Sequence, residues 1–419
     1  MKKVLVIAQN FYPEIGSAAN RIKNIYLELS ERGYDVTILT TDPRYPNENL
    51  YKKKEFWDEE SINSEDVIRV KPRVKKYTNN MLRRLFLYLE ITMLFIMAIF
   101  RMDKKYDYVF VSTPPIFIGI AGFFAKKKLK AELLLDVRDL WPESLLGVGV
   151  FANRFVLSIA YALEKMLYRV ADQIIVNSAG FIPYLELKGV RREKVSFMPN
   201  SLTEEELHMI ETKKAITDSS NKTVEVIYTG NIGLAQDVLK LIEVAEYLRE
   251  KENIKFKIIG YGFKSYQVAE VIKEKKLFNI EIIKAKSRNK TLKEVAKAQI
   301  AYVSLVDEKV FQTVLPGKII DYMCMKKPII GDVSGYAEKV INEAQCGLIS
   351  NDRTAKELGE HIIKLAENEI LRRKMGNNGH EFAFQYLRWK NNIKVLTSLM
   401  EENDATEESM YVRMEPLHK

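Results

Sequence analysis

Residues 3–33 read KVLVIAQNFYPEIGSAANRIKNIYLELSERG, and the order of chemistry within them decides the fold. Lys3–Ala8 is an apolar run of strand length. Gln9–Gly16 is rich in turn formers, and Ser17–Arg32 carries apolar residues at helical spacing until Gly33 ends the pattern. Strand, loop and helix in that order open a parallel α/β sheet, and Asp35–Thr41 (DVTILTT) supplies the next strand. The alternation resumes after a polar stretch, with strand Asp107–Ser112, helix Pro115–Lys128, strand Ala131–Asp136, helix Asn153–Val170 and strands Gln173–Asn177 and Val195–Met198.

A second series starts at Val224–Tyr228. Helix Val238–Lys251, strand Lys255–Ile259, helix Ser265–Glu274, strand Ile280–Ile283, helix Leu292–Ala298, strand Ile300–Ser304, helix Gly317–Met325 and strand Pro328–Gly331 follow in turn. The chain is therefore expected to be α/β, with two doubly wound, Rossmann-like domains facing a cleft at their strand C-terminal ends. The polar stretch Pro199–Thr223 reads as the linker. The acidic, apolar-poor Glu401–Lys419 reads as a disordered tail.

With 419 residues, 47% hydrophobic and 29% charged, the chain has ordinary globular usage, which excludes collagen-like and low-complexity readings. Cys324 and Cys346 are the only cysteines, and with four histidines they form no zinc spacing, so neither a disulfide scaffold nor a metal cofactor is expected. The formal charge of +9 is uneven. Residues 1–200 hold 31 Lys/Arg against 23 Asp/Glu, while residues 201–419 hold 34 against 33. The excess gathers at Arg69, Lys71, Arg73, Lys75, Lys76, Arg83, Arg84, Arg101, Lys104, Lys105 and Lys126–Lys128, a field that draws phosphates.

Leu85–Phe100 (LFLYLEITMLFIMAIF) lies inside that basic region. It falls short of the ~20 residues a spanning helix needs and contains Glu90. Two readings stand: a helix in a membrane interface with basic ends on the headgroups, or a buried core helix. Nucleic acid is the poorer partner, since the basic cluster lacks interleaved aromatics apart from Tyr77. Met1-Lys2-Lys3 runs straight into a strand without a cleavage site, so a cytoplasmic protein, peripherally associated with an anionic membrane surface, is expected.

Four segments are suited to anions. Gly16 and small neighbours open a helix whose free N–H groups favour negative charge. Thr229–Asp237 (TGNIGLAQD) and Gly260–Lys264 (GYGFK) each follow a strand with glycine. Pro316-Gly317-Lys318 opens a helix with a lysine at its first turn and Asp321 one turn on. Separately, Asp136-Val137-Arg138-Asp139-Leu140-Trp141-Pro142-Glu143 ends an apolar strand in two carboxylates and an arginine, where a doubly wound sheet carries reactive side chains.

The ordered set FYPEIG, DVRDLWPES, YTGNIGLAQ, GYG with Lys264, and LPGKIIDYMCMKKPII, spread over residues 3–395, resembles the family 4 retaining glycosyltransferases of GT-B fold, and within them the bacterial branch that adds amino sugars to O-antigen or capsule precursors. The resemblance implies a nucleotide-sugar donor, UDP by analogy, bound by the C-terminal domain (201–383), and an acceptor bound by the N-terminal domain (1–200, with 384–400 crossing back). It implies donor contacts at Asn231, Gly233, Lys264, Arg288, Gly317, Lys318 and Asp321. A catalytic region at Gly16, Arg138 and Asp139 and acceptor contacts at Asn20, Arg21, Trp141 and Glu143 complete the expectation. The family pattern of Glu, seven residues and Glu has Asp321 at its second position here and Thr313 at its first. The family's Arg and Lys after the first C-terminal strand are missing, which leaves Lys264, Arg288 and above all Lys318 to face the diphosphate. Retention needs no protein nucleophile when the acceptor hydroxyl attacks the face the diphosphate leaves. No Asp-x-Asp pair is present, so a metal-independent hexosyl- or N-acetylhexosaminyltransferase acting on a lipid-linked saccharide is expected. A transferase with a soluble acceptor, or a non-catalytic nucleotide-sugar binder, is the alternative.

Overall fold

A computed structural model describes residues 1–73, 81–149, 153–209 and 223–401. The chain forms two compact units, Met1–Asn200 joined by the chain from Trp389 on, and Ser201–Arg388. In the first unit the elements are β1 (Lys3–Ile7), α1 (Ser17–Glu31), β2 (Asp35–Thr41), β3 (Val67–Val70), α2 (Met81–Phe100), β4 (Tyr108–Thr113), α3 (Ile118–Leu129), β5 (Glu132–Val137), α4 (Glu143–Gly147), α5 (Arg154–Val170), β6 (Gln173–Val176), α6 (Ile182–Leu187) and β7 (Val195–Phe197). The second unit has α7 (Glu204–His208), β8 (Val224–Asn231), α8 (Val238–Tyr247), β9 (Ile254–Tyr261), α9 (Ser265–Glu274), β10 (Ile280–Lys284), α10 (Arg288–Lys297), β11 (Ile300–Ser304), α11 (Gly317–Cys324), β12 (Ile329–Asp332), α12 (Tyr336–Glu343), β13 (Gly347–Ile349), α13 (Ala355–Glu367) and α14 (Glu369–Tyr386). The chain then returns to the first unit as α15 (Trp389–Glu401).

Both sheets are parallel. The first runs β3-β2-β1-β4-β5-β6-β7 and the second β10-β9-β8-β11-β12-β13. In each, the direction of winding reverses beside the first strand, at β1/β4 and at β8/β11, the place where doubly wound sheets hold ligands. Register is continuous there, with Val4 opposite both Val36 and Tyr108. These strands are buried on both faces, so they read as unbroken apolar runs such as Val4–Ile7.

Several elements differ from the sequence reading. β3 (VIRV) was hidden in the polar stretch because Ile68 faces solvent and Arg69 interrupts the run. The glycine loops begin later than their composition suggests: β8 and β9 stay paired through Gly230↔Gly260 and Asn231↔Tyr261. Part of the expected linker is structured, since Leu202 is fully buried and bonds Leu387, and Thr203 and Glu206 form a reciprocal capping box on α7. Residues 210–222, the tail from 402 and Lys75 and Lys76 lie outside the described residues.

Helix α2 bears out the core reading of Leu85–Phe100 on one of its faces. Leu87, Ile91, Phe95 and Ile99 are buried, while Phe86, Leu89, Met93, Met97 and Phe100 form an exposed apolar stripe on the other side. No helix among the described residues is long and apolar enough to cross a membrane. The basic cluster is also divided. Arg69 turns inward to the carbonyls of Thr41 and Tyr12, Lys104 pairs with Asp35 and Lys126 with Asp172, whereas Arg83, Arg101, Lys105, Lys127 and Lys128 are exposed.

Candidate functional site

In the first unit the loop after β1 is built by a buried carboxylate. Glu14 accepts from Asn10 Nδ2 (2.6 Å) and from the amides of Arg44 (2.6 Å) and Tyr45 (2.9 Å). Burial raises its pKa against those bonds. Ile15 donates its amide to Tyr51 Oη (3.1 Å), which leaves Gly16 to turn the chain into α1 at φ 120°, a conformation only glycine adopts freely. Gly16 and Ser17 are exposed, and no side chain caps the helix, so its first N–H groups are available to an anion.

Behind this loop, at the ends of β4 and β5, lies a charged layer. Asp136, fully buried, takes Arg21 Nη2 at 2.8 Å and Nε at 3.1 Å on one oxygen and Ser112 Oγ at 2.7 Å on the other. Arg138 Nε donates to Ser112 Oγ at 2.8 Å. Burial lowers the Arg138 pKa, with Asp136 opposing. Asp139 follows, half-buried, its carboxyl pushed up to about 6 by burial, offset in part by Ser144 and Arg138. A small cavity of about 10 Å³, lined by Thr113, Ile116, Val137, Asp139, Trp141 and Tyr168 among others, adjoins it.

The structure redistributes the expected acceptor contacts. Arg21 is not a surface group: its side chain is fully buried in the pair with Asp136, over the Trp389 ring, and supports the site from behind. Trp141 is half-buried, edge-on to Tyr88 and Phe117. Glu143 accepts from Tyr161 Oη (2.9 Å) and lies 3.8 Å from Lys188, a tie between α4, α5 and the end of α6. Asn20 is half-buried on α1, one turn after Gly16, to which its amide bonds at 3.1 Å.

In the second unit, Asn231 lies across two glycines. A Cβ on Gly233 would come within 2.6 Å of Asn231 Nδ2, and one on Gly262 within 2.5 Å of Asn231 Oδ1. Thr229 donates its amide to Tyr322 Oη (2.9 Å), which ties this loop to α11. Gly317 begins α11, whose N-terminus has no side-chain cap. Lys318 Nζ is buried without a hydrogen-bond partner, 3.6 Å from the centre of the Tyr228 ring. Burial lowers its pKa well below the ordinary value, with Asp321 opposing. Lys264, half-buried, donates its amide to Ile232 O (2.9 Å).

Arg288 is the correction in this unit. It was expected to face a diphosphate, but its guanidinium sits between Glu206 and Asp321, the latter at 2.9 Å. Two carboxylates satisfy it, and by the same bonds Asp321 is committed to Arg288. Lys318 differs from Arg288 in that its Nζ is buried with no hydrogen-bond partner. Glu206 escaped the sequence reading because it lies in the expected linker, and Tyr228, Ser112 and Glu14 because each is polar or aromatic within an otherwise apolar or turn-like run. Among the described residues no His, Cys, Asp and Glu cluster could hold a metal.

Comparison with known proteins follows this division. A glycosyl transferase 4-like domain matches residues 16–201, and the group 1 glycosyl transferases match residues 209–382. WcaI of Escherichia coli K12, named as a candidate glycosyl transferase of colanic acid biosynthesis, is 22% identical over 80% of this chain and 84% of its own. An uncharacterized glycosyltransferase of Methanocaldococcus jannaschii is 23% identical over 96% of this chain and 99% of its own. Among solved structures, sucrose-phosphate synthase of Thermosynechococcus elongatus superimposes with a TM-score of 0.69 at 15% identity, covering 96% of this chain and 99% of that one. Anabaena HepE in complex with UDP and glucose superimposes at 0.67 with 13% identity, covering 96% and 100%. WaaG, a glycosyltransferase involved in lipopolysaccharide biosynthesis, does so at 0.63 with 14% identity, covering 96% and 100%.

Proposed function

Because the chain belongs to the family 4 glycosyltransferases of GT-B fold, with relatives in polysaccharide biosynthesis, we propose that it moves an N-acetylated hexosamine from UDP to a polyprenyl-diphosphate-linked saccharide, with retention at the anomeric carbon. The product would be an O-antigen or capsule precursor. The observation that carries this reading is Lys318. A buried lysine amine without a hydrogen-bond partner, at a helix N-terminus and beside a glycine loop, has the chemistry of a diphosphate receptor, since a bound anion would restore its charge. HepE, which shares the fold, binds UDP and glucose.

In this reading the amides at Gly233 and Gly317, with Asn231, Lys264 and Lys318, hold the donor diphosphate, and Asp321, oriented by Arg288, accepts from the ribose. The bond from the anomeric carbon to the β-phosphate oxygen breaks as the acceptor hydroxyl bonds that carbon on the same face. The hydroxyl proton passes to the departing phosphate oxygen, so no protein nucleophile is consumed. Backbone amides and lysine charge neutralise the leaving group without a metal. On the acceptor side, Gly16, Asn20, Arg138, Asp139, Trp141 and Glu143 shape the acceptor region. The stripe Phe86, Leu89, Met93, Met97 and Phe100, with exposed Arg83, Arg101 and Lys105 near its ends, suits a protein that lies on an anionic membrane to meet a lipid-borne substrate.

The test is release of UDP from a panel of UDP-N-acetylhexosamines, with and without a membrane extract as acceptor. Release that requires the extract and collapses by at least about a hundredfold in Lys318→Ala is expected. Release that is independent of the extract would point to a soluble acceptor, and no release with any donor would overturn the reading.

A further inference from the structure

Two arginines converge on Asp136, Arg21 through hydrogen bonds and Arg138 at ion-pair distance only. Arg21 takes Oδ1 at 2.8 Å through Nη2 and both oxygens through Nε, at 3.1 and 3.2 Å. Ser112 gives its single hydroxyl proton to Oδ2, so toward Arg138 it presents a lone pair, and Arg138 Nε donates there at 2.8 Å. The distance from Arg138 Nε to Asp136 Oδ2 is 3.7 Å, beyond a hydrogen bond. The two terminal nitrogens of Arg138 carry no hydrogen bond to any described residue, and the side chain is only 12% exposed. A guanidinium this deep normally binds a carboxylate or several carbonyls through its terminal nitrogens, whereas here Asp136 and Asp139 act on it without a hydrogen bond and its one bond is to a neutral hydroxyl. Here the fork is aimed by Ser112 and held open.

We propose that Arg138 is a receptor for a phosphate oxyanion in the first unit, gripping it through its two terminal nitrogens while Ser112 and the Arg21–Asp136 pair fix the fork. A planar fork matches two oxygens of one phosphate, which a lysine at the same place could not do. Resting on the reading of a lipid-diphosphate acceptor, this assigns Arg138 to the acceptor's diphosphate, with the donor's diphosphate left to Lys318. The same chemistry could come from the donor, so the experiment separates the two sources.

The full chain is titrated by calorimetry with geranyl diphosphate, a short isoprenyl diphosphate, and with UDP, as wild type, Arg138→Gln, Arg138→Lys and Lys318→Met. The expected result is a crossing pattern: Arg138→Gln weakens geranyl diphosphate by about tenfold or more and UDP by no more than about twofold, and Lys318→Met does the reverse. Arg138→Lys falls between wild type and Arg138→Gln for geranyl diphosphate. Weakening of UDP by Arg138→Gln would assign the phosphate to the donor and still uphold the receptor. Without ligand, Arg138→Gln should melt close to the wild-type temperature, since Arg138 makes one hydrogen bond, to Ser112, and only a loose ion pair with Asp136. A lower melting temperature together with unchanged affinities, or a wild type that binds neither ligand, overturns the proposal by making Arg138 a brace for Ser112. Arg138-dependent binding without sugar turnover would instead count against the proposed reaction alone.

Discussion

Asp139 offers the clearest pH signature in the molecule. Its folded carboxyl titrates at about 6 because burial penalises its charge, against about 3.9 in an unfolded chain. Between those values the folded form keeps a proton that the unfolded form has released. Stability therefore falls as pH rises from about 4 to about 6, and the cost is complete above that. Asp139→Asn should flatten this fall in thermal melts taken across that range. If the carboxylate orients the acceptor hydroxyl, wild-type turnover should climb through about pH 6 and the variant should lose both the climb and most of its rate. Arg288 has the opposite character. Arg288→Ala strands Glu206 and Asp321 together, and about 1.5–3 kcal/mol should be lost in urea unfolding. Sequence reasoning named Arg288, Asp321, Arg21 and Asp136 but could not pair them. The partners of Arg288 lie 82 and 33 residues away, and Asp136 lies 115 residues from Arg21, distances that only the closed sheet removes.

Among the elements, α2 is where composition was most ambiguous and the packed sheet most informative. A run apolar all round reads as core or as membrane surface, and here it is core on one side with an uncovered apolar stripe on the other. The two faces should respond differently to substitution. Phe95→Ala opens a cavity in the unit and should cost about 3–5 kcal/mol. Met93→Glu with Met97→Glu should change stability by no more than about 1 kcal/mol, yet abolish sedimentation with vesicles containing anionic lipid. Retained sedimentation of the double variant would assign membrane contact to other surfaces. Strands were legible wherever both faces are buried, as in β1, β4 and β5. They were not where an edge strand is half-exposed, as in β3, or where glycines continue a ladder, as at Gly230 and Gly260.

Over the whole chain, two sheets with the same winding order were readable from the repeated alternation of strand and helix, since a period of two giving way to 3.6 survives any detail of packing. Less legible was the break near residue 388. The stretch 384–400, expected to cross back, is divided: α14 ends at Tyr386 and α15 starts at Trp389, the largest fully buried side chain among the described residues. Trp389 joins Ile393, Leu396 and Met400 against Ile22, Ile25 and Leu29 of α1 in a single core. Trp389→Ala should therefore destabilise the first unit by about 3–5 kcal/mol, visible as an earlier melt of that unit.

That shared core also fixes an order of events during synthesis. The ribosome delivers residues 1–200 first, but the part of the apolar face of α1 that packs on α15 meets its cover only after the whole second unit has been made. At about 5–20 residues per second, the nascent first unit waits for some ten seconds or more with that face bare. A holding chaperone has its natural target there. A transcript stopped anywhere before codon 389 would yield an aggregation-prone half, and supplying residues 389–401 as a separate peptide should rescue its solubility.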